Sequence, residues 1–123
     1  MKFQPDRIEG VNVITGYTSA SINVNAQPWD CSVIVPFQGD ILAWPCARFD
    51  ELAESHFEPL LALRPELVIV GSGRQHRFVP PVLVRALIAK GIGIESMDTQ
   101  AACRTYNILA GESRRVVAAL LLD

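Results

Sequence analysis

The chain has 123 residues, of which half are hydrophobic and a fifth are charged, and its formal net charge is −2 at pH 7. This composition is typical of a folded globular domain and excludes an intrinsically disordered chain. An isoelectric point near 5.6, without a basic stripe, argues against nucleic-acid binding. The longest apolar runs, Leu67–Val70 and Val116–Leu122, are far shorter than the roughly 20 residues that cross a bilayer, so we predict no membrane-spanning segment.

The length is common for one domain, and no internal repeat divides the sequence. We therefore predict a single domain over residues 1–123, with residues 1–7 poorly ordered. The N-terminus carries Pro5 and Asp6 where an export signal would need an apolar stretch. Three cysteines, an odd number, favour reduced thiols over a disulfide framework. Both features predict a cytoplasmic protein.

The N-terminal part of the chain is predicted to form an antiparallel β-meander. Alternation of polar and apolar residues indicates half-buried strands, and turn residues separate them. Gln38-Gly39-Asp40 lies between two apolar runs and predicts a hairpin. The four predicted strands are Val11–Ile14, Ser21–Val24, Cys31–Phe37 and Ile41–Trp44.

The next segment predicts a helix followed by a buried strand. Apolar residues from Phe49 to Leu61 recur at helical spacing among acidic residues, with a break expected near Ser55. Pro65 ends this helix because proline lacks the N–H group that a helix interior needs. The continuous apolar run Leu67–Val70 is typical of a strand in a parallel sheet with both faces buried.

A β-α-β unit is predicted over residues 67–97. Its helix starts after Pro80-Pro81 and ends at Gly91, and the strand Ile92–Met97 follows. A crossover of this size implies that the two strands pair in parallel. The buried stripe of the helix is predicted to be Leu83, Val84, Leu87 and Ile88.

Asp98 or Thr99 is predicted to cap a third helix that reaches about Leu109 and closes at Gly111. The segment Arg114–Leu122 favours a last strand because it contains β-branched residues. The predicted fold class is therefore α/β. An N-terminal antiparallel β-meander joins a C-terminal parallel β-α-β unit in a mixed sheet flanked by helices.

The best candidate site is the loop Gly71–Arg77 together with Asp98 and Thr99. Glycines after a buried strand let backbone N–H groups approach an anion, and the arginines add positive charge. Both segments follow strands of the β-α-β unit, so we expect them to meet at the carboxyl edge of the sheet, where open α/β sheets bind ligands. The candidate ligand-binding residues are Gly71, Ser72, Gly73, Arg74, His76, Asp98 and Thr99.

A purely structural role explains the same residues and is the preferred interpretation. His76 stands where a dinucleotide-binding fingerprint has its third glycine, so the remaining Gly-x-Gly is weak evidence for a nucleotide. The glycines suit a tight turn after the strand. Asp98 and Thr99 suit the start of a helix, where short oxygen-bearing side chains accept free N–H groups.

No catalytic centre is predicted. Cys103 would need a neighbouring base to act as a nucleophile, and both histidines, His56 and His76, belong to other segments. Cys31 and Cys46 do not form a spacing in which one element supplies two metal ligands. We predict packed, inert thiols, and neither a metal nor a cofactor.

Three segments resemble a family of small α/β domains that contains mitochondrial respiratory complex I assembly factor 3 and the adipogenesis-associated domain protein. The segments are Leu67–Gly73, Gly91–Thr99 and Ala101–Leu109, and the resemblance extends over about residues 7–122. Its most specific positions are Asp98, Thr99, Ala102, Thr105, Tyr106, Asn107, Glu112 and Arg114. Ser72 and Ser113 depart from the family pattern, which commonly has Thr and Gly there. The resemblance implies a mixed β-sheet flanked by helices and, from the mitochondrial relative, a role in building a membrane-bound respiratory enzyme, without catalytic residues.

These observations lead to two main functional hypotheses. The first is a non-enzymatic binding module that has protein partners and assists the assembly or stability of a membrane-associated respiratory complex. The second is a domain, or an enzyme, that binds a small molecule or anion at the Gly71–Arg77 loop and Asp98–Thr99. A self-associating structural domain is a third hypothesis, which light scattering separates from the others.

Overall fold

The computed structural model describes residues 9–123, which form two β-sheets. The prediction about residues 1–7 lies outside this range. The larger sheet contains five strands. In spatial order the strands are β5 (Leu42–Ala43), β4 (Val33–Pro36), β8 (Val116–Leu120), β6 (Leu67–Gly71) and β7 (Gly93–Met97). β6 pairs in parallel with both β7 and β8, whereas β4 is antiparallel to β8 and β5. The predicted α/β fold class with a mixed sheet is confirmed.

The centre of this sheet is β8 together with β6. Every residue of β8 is buried, as are the last four residues of β6. Both strands are continuous apolar runs in the sequence, which is what a strand covered on both faces requires. The predicted strands at residues 67–70 and 114–122 are therefore confirmed.

A smaller antiparallel sheet holds β1 (Ile14–Tyr17), β2 (Ile22–Val24) and β3 (Gln27–Trp29). The predicted N-terminal meander thus divides between two sheets, because β4 and β5 belong to the larger one. β3 is not among the predicted strands, and it contains Pro28, which cannot donate a ladder hydrogen bond. Its position at the edge of the small sheet leaves that missing donor without consequence.

Helices cover both faces of the larger sheet. α1 (Glu54–Ala62) and α2 (Arg85–Ala89) pack on one face, where Phe57, Leu60 and Leu87 contact the core. α3 (Thr99–Gly111) packs on the other face and separates it from solvent. Short 3-10 helices precede α1 and α2, at Phe49–Glu51 and Pro81–Val84. Within residues 9–123, no helix combines the length and the apolar character that a bilayer crossing requires.

The predicted buried stripe of α2 is correct for Val84 and Leu87 but wrong for Ile88. Val84 and Leu87 are buried, whereas 53% of Ile88 is exposed. The reason is the 3-10 start of this helix, which advances 120° per residue and so shifts the phase of the residues that follow. α-helical spacing applied from Leu83 onward therefore assigns Ile88 to the buried face, although it lies on the exposed face.

The small sheet is attached to the larger one through α3. The Tyr106 hydroxyl donates to the Asn12 and Pro36 carbonyls, at 2.8 and 3.1 Å. The Asn107 side chain accepts from the Ile14 N–H at 2.9 Å and donates to the Ile14 carbonyl at 2.8 Å, as a neighbouring strand would. Two side chains of one helix thus fix the register between the two sheets.

Removing the Tyr106 hydroxyl should destabilise the protein without changing its shape. We expect Tyr106→Phe to lower the free energy of unfolding by about 1–3 kcal/mol, because the buried Asn12 carbonyl loses its donor, whereas the Pro36 carbonyl keeps the side-chain amide of Asn12. Urea denaturation measures the change. Ile108→Ala, two positions along and 62% exposed, is the control and should stay within about 0.5 kcal/mol of the parent. Equal stability of Tyr106→Phe and the parent would contradict the anchoring role.

Candidate functional site

The candidate residues that sequence reasoning selected lie where β6 and β7 end. Gly71 is the last residue of β6, and Thr99 is the first residue of α3, directly after β7. Because β6 and β7 are parallel neighbours, their carboxyl ends share one edge of the sheet. The structure therefore brings the glycine loop and the Asp98–Thr99 step together, as the topology predicts.

Thr99 makes the central contacts of this edge. Its hydroxyl accepts from the Gly73 N–H at 2.9 Å and donates to the Leu121 carbonyl at 2.7 Å. Its own N–H donates to the Gly73 carbonyl at 2.8 Å. The side chain is fully buried, so one residue joins the ends of β6, β7 and β8.

The two glycines of the loop have separate structural requirements. A β-carbon at Gly71 would lie 2.9 Å from the Thr99 hydroxyl oxygen and 3.0 Å from its α-carbon, closer than real contacts allow. Gly73 has a φ of +98°, a backbone conformation that side chains disfavour. Close packing explains the first glycine, and the turn explains the second.

The remaining candidate residues divide into buried and exposed groups. The Ser72 hydroxyl is buried and lies 2.6 Å from the Gln75 carbonyl. The Asp98 carboxylate accepts from the Ala101 N–H at 2.9 Å and caps α3. Arg74 and His76 are exposed, and the His76 ring packs on the ring of Phe78, with centroids 4.6 Å apart.

Three backbone N–H groups of the loop, those of Ser72, Gly73 and Arg77, already have partners within the protein. The Ser72 N–H donates to the Met97 carbonyl at 2.8 Å, and the Gly73 N–H donates to Thr99. The Arg77 N–H donates to the Ser72 hydroxyl at 3.0 Å. These three N–H groups, including that of Gly73, are therefore not available to cradle an anion. The ligand role of these residues stays a prediction.

Sequence reasoning did not select Arg48, which lies beside this loop in the folded chain. Arg48 and Arg77 line a cavity of about 400 Å³ together with Ser72 and Arg74. No local motif marks Arg48, because 24 residues separate it from Ser72 and only the tertiary fold brings them together.

Cys103 lies in α3 and is fully buried. Burial is the main cause that raises the pKa of its thiol to about 12, with Arg104 lowering it and the Asp98 carboxylate raising it by smaller amounts. Burial also raises the pKa of the Cys46 thiol, which donates to the Arg48 carbonyl. Neither thiol has the low pKa of a nucleophile. Within residues 9–123, no three His, Cys, Asp or Glu side chains converge to hold a metal ion.

Two substitutions at Thr99 distinguish the contribution of its hydrogen bonds to stability from the contribution of its side-chain volume. Thr99→Val should lower the free energy of unfolding by at least about 2 kcal/mol, because the Gly73 N–H and the Leu121 carbonyl would lose a buried partner. Thr99→Ser keeps the hydroxyl and loses one methyl group, so it should cost about 1 kcal/mol. Chemical denaturation measures both. A valine variant as stable as the serine variant would refute the bridging role of the hydroxyl.

The three thiols should differ in reactivity. The prediction of packed thiols is wrong for Cys31, which is exposed, whereas Cys46 and Cys103 are buried and have raised pKa values. Iodoacetamide at pH 8, followed by mass spectrometry, should modify Cys31 in the folded protein and all three cysteines after denaturation. Rapid modification of Cys103 in the folded protein would show that its pKa is not raised.

Comparison with known proteins agrees with the resemblance in the sequence. NADH dehydrogenase [ubiquinone] 1 alpha subcomplex assembly factor 3 from Bos taurus is 34% identical over 83 residues, which are 66% of this chain and 45% of that protein. The 13 kDa major membrane protein of Francisella tularensis is 31% identical over 65 residues, or 53% of each chain. This chain thus spans about half the length of the curated relatives it matches.

The fold also matches solved structures. A solution structure of a Bordetella pertussis protein, described as a Mth938-like domain, superimposes with a TM-score of 0.81 and 34% identity, over all of this chain and 93% of that one. The predicted resemblance is confirmed, and residues 14–121 match a family described as "Protein of unknown function (DUF498/DUF598)". With nearly the whole described sequence matched, this chain belongs to the DUF498/DUF598 family.

Proposed function

We propose that this protein is a non-enzymatic binding module that helps to assemble or stabilise a membrane-associated respiratory complex from the cytoplasm. The names of its relatives support this proposal: one is an assembly factor of NADH dehydrogenase, and another is a membrane protein. Both are longer than the matched region, so the shared domain is the part that would carry a common role.

The observation that carries the proposal is an exposed apolar surface at the free edge of β7. Phe78 is 79% exposed and Ile88 is 53% exposed. They line one groove of about 340 Å³ with Pro81 and Ile94. We call these four residues the β7-edge patch. Large apolar side chains grouped at one place on a surface are typical of protein interaction sites.

The strand beside this patch adds directional binding groups. β7 pairs with β6 along one edge, and no strand within residues 9–123 pairs with its other edge. An unpaired edge offers backbone N–H and carbonyl groups to an extended segment of a partner, while adjacent apolar residues receive its side chains. The patch and the edge together suit a protein partner better than a small polar molecule.

Affinity capture tests the proposal with a matched pair of variants. Tagged parent protein should enrich subunits of a respiratory complex from detergent-solubilised native membranes. Phe78→Ser and Ile88→Ser should lose most of this enrichment because they remove apolar contact area. Ile108→Ser changes an equally exposed apolar residue on the opposite face of the sheet and should retain it. Circular dichroism checks that every variant is folded.

Three results would contradict this proposal. One is recovery of abundant soluble proteins only, with intact respiratory complexes on native gels after deletion of the gene. Another is equal loss of capture in the Ile108→Ser control. The third is a stable dimer in light scattering that Phe78→Ser dissociates, because the patch would then serve self-association.

A further inference from the structure

The cavity beside the Gly71–Arg77 loop is separate from the β7-edge patch. It lies between the loop that follows β6 and the segment Arg48–Asp50 that precedes α1. Its volume of about 400 Å³ is within the range of small-molecule sites, and its lining is mostly polar. The cavity opens beyond the carboxyl ends of the parallel strands, where α/β sheets bind ligands.

Three arginine residues and two acidic residues line this cavity. The arginines are Arg48, Arg74 and Arg77, and the acids are Asp50 and Asp123. Arg77 forms an ion pair with Asp50 at 2.9 Å. Within residues 9–123, Arg48 and Arg74 have no carboxylate within 4.0 Å. Two of the three arginines in the lining are therefore exposed and have no acidic partner in this part of the chain.

The backbone that carries these arginines is fixed before any ligand binds. Ser72 holds the loop because its hydroxyl accepts the Arg77 N–H and bonds to the Gln75 carbonyl. The Arg48 carbonyl accepts the Cys46 thiol at 3.2 Å and the Glu51 N–H at 3.0 Å. Binding would therefore require little ordering of the main chain, which lowers its entropic cost.

Phe49 limits the kind of ligand that fits. The Arg77 guanidinium carbon lies 5.2 Å from the centre of the Phe49 ring, so a cation already covers the aromatic face in the lining. A nucleotide base would need a free apolar or aromatic face to stack on. A compact, polar anion needs only the guanidinium groups, which bind phosphate and carboxylate in a bidentate manner.

We propose that this cavity binds a compact small molecule bearing a phosphate or carboxylate group, held by Arg48 and Arg74 with Arg77 at the rim. The Gly73 N–H already donates to the Thr99 hydroxyl and is not available to a ligand. The arginine side chains, rather than the loop glycines, would therefore bind the anion. The proposal does not depend on a protein partner and concerns different residues from the β7-edge patch.

Titration followed by amide and arginine side-chain NMR shifts tests this site. The probes are inorganic phosphate, glycerol 3-phosphate and citrate, with glycerol as the neutral comparison. A phosphate or carboxylate ligand should give saturable shifts at Arg48, Arg74 and Arg77 at millimolar concentrations, and glycerol should give none. Preference for the phosphate probes or for citrate identifies the group that the site takes.

Charge-matched variants distinguish a site from general attraction to a cation. Arg48→Gln and Arg74→Gln should each weaken binding about tenfold or more, because each removes charge-assisted hydrogen bonds. Arg85→Gln removes one positive charge from a surface pair with Glu54 and should leave binding unchanged. These two cavity arginines are exposed, so their variants should keep the parent's spectrum elsewhere.

The proposal is overturned if no probe gives a saturable shift, or if Arg85→Gln weakens binding as much as the cavity variants do. Affinity capture of respiratory subunits with Arg48→Gln and Arg74→Gln tests whether the anion site and the proposed function fail independently. Loss of anion binding with normal capture would leave both proposals standing as independent properties.

Discussion

The Thr99 hydroxyl is the contact on which the carboxyl edge of the sheet depends. It joins the loop after β6 to the end of β8, while the Thr99 backbone joins both to the start of α3. The arrangement requires Gly71, because a β-carbon there would collide with Thr99. A crevice that many α/β proteins leave open for a ligand is filled here by the protein's own groups. The open cavity lies at the same edge of the sheet, beside Ser72 and between the loop and the segment Arg48–Asp50.

Five of the eight positions that carry the family resemblance have clear structural explanations in this chain. Asp98 caps α3, Thr99 joins three strands, and Tyr106 and Asn107 hold the smaller sheet in register. Ala102 is fully buried against the sheet, where a larger side chain would not fit a close-packed core. A shared signature of this kind specifies a fold. It leaves exposed surfaces, where partners bind, free to differ between relatives.

The sequence predicts those parts of the fold that local patterns determine. The buried strands β6 and β8 are continuous apolar runs, and α3 begins after an aspartate that can accept its first N–H groups. The meeting of Gly73 and Thr99 follows from parallel pairing of β6 and β7 alone. Features that depend on distant contacts were not predictable. The pairing of Val33 with Leu120, the division into two sheets, and the approach of Arg48 to Ser72 have no local signal.

The β7-edge patch and the arginine cavity share one stretch of backbone. Arg74 and Arg77 contribute to the cavity, while His76 and Phe78 pack on each other and Phe78 lines the patch. Ser72 fixes the start of this stretch through hydrogen bonds to Gln75 and Arg77, which sets the direction in which the following side chains project. The proposed protein partner and the proposed anion therefore have neighbouring surfaces along one loop. The two proposals are compatible with each other, since the residues that line the cavity and those of the patch are different.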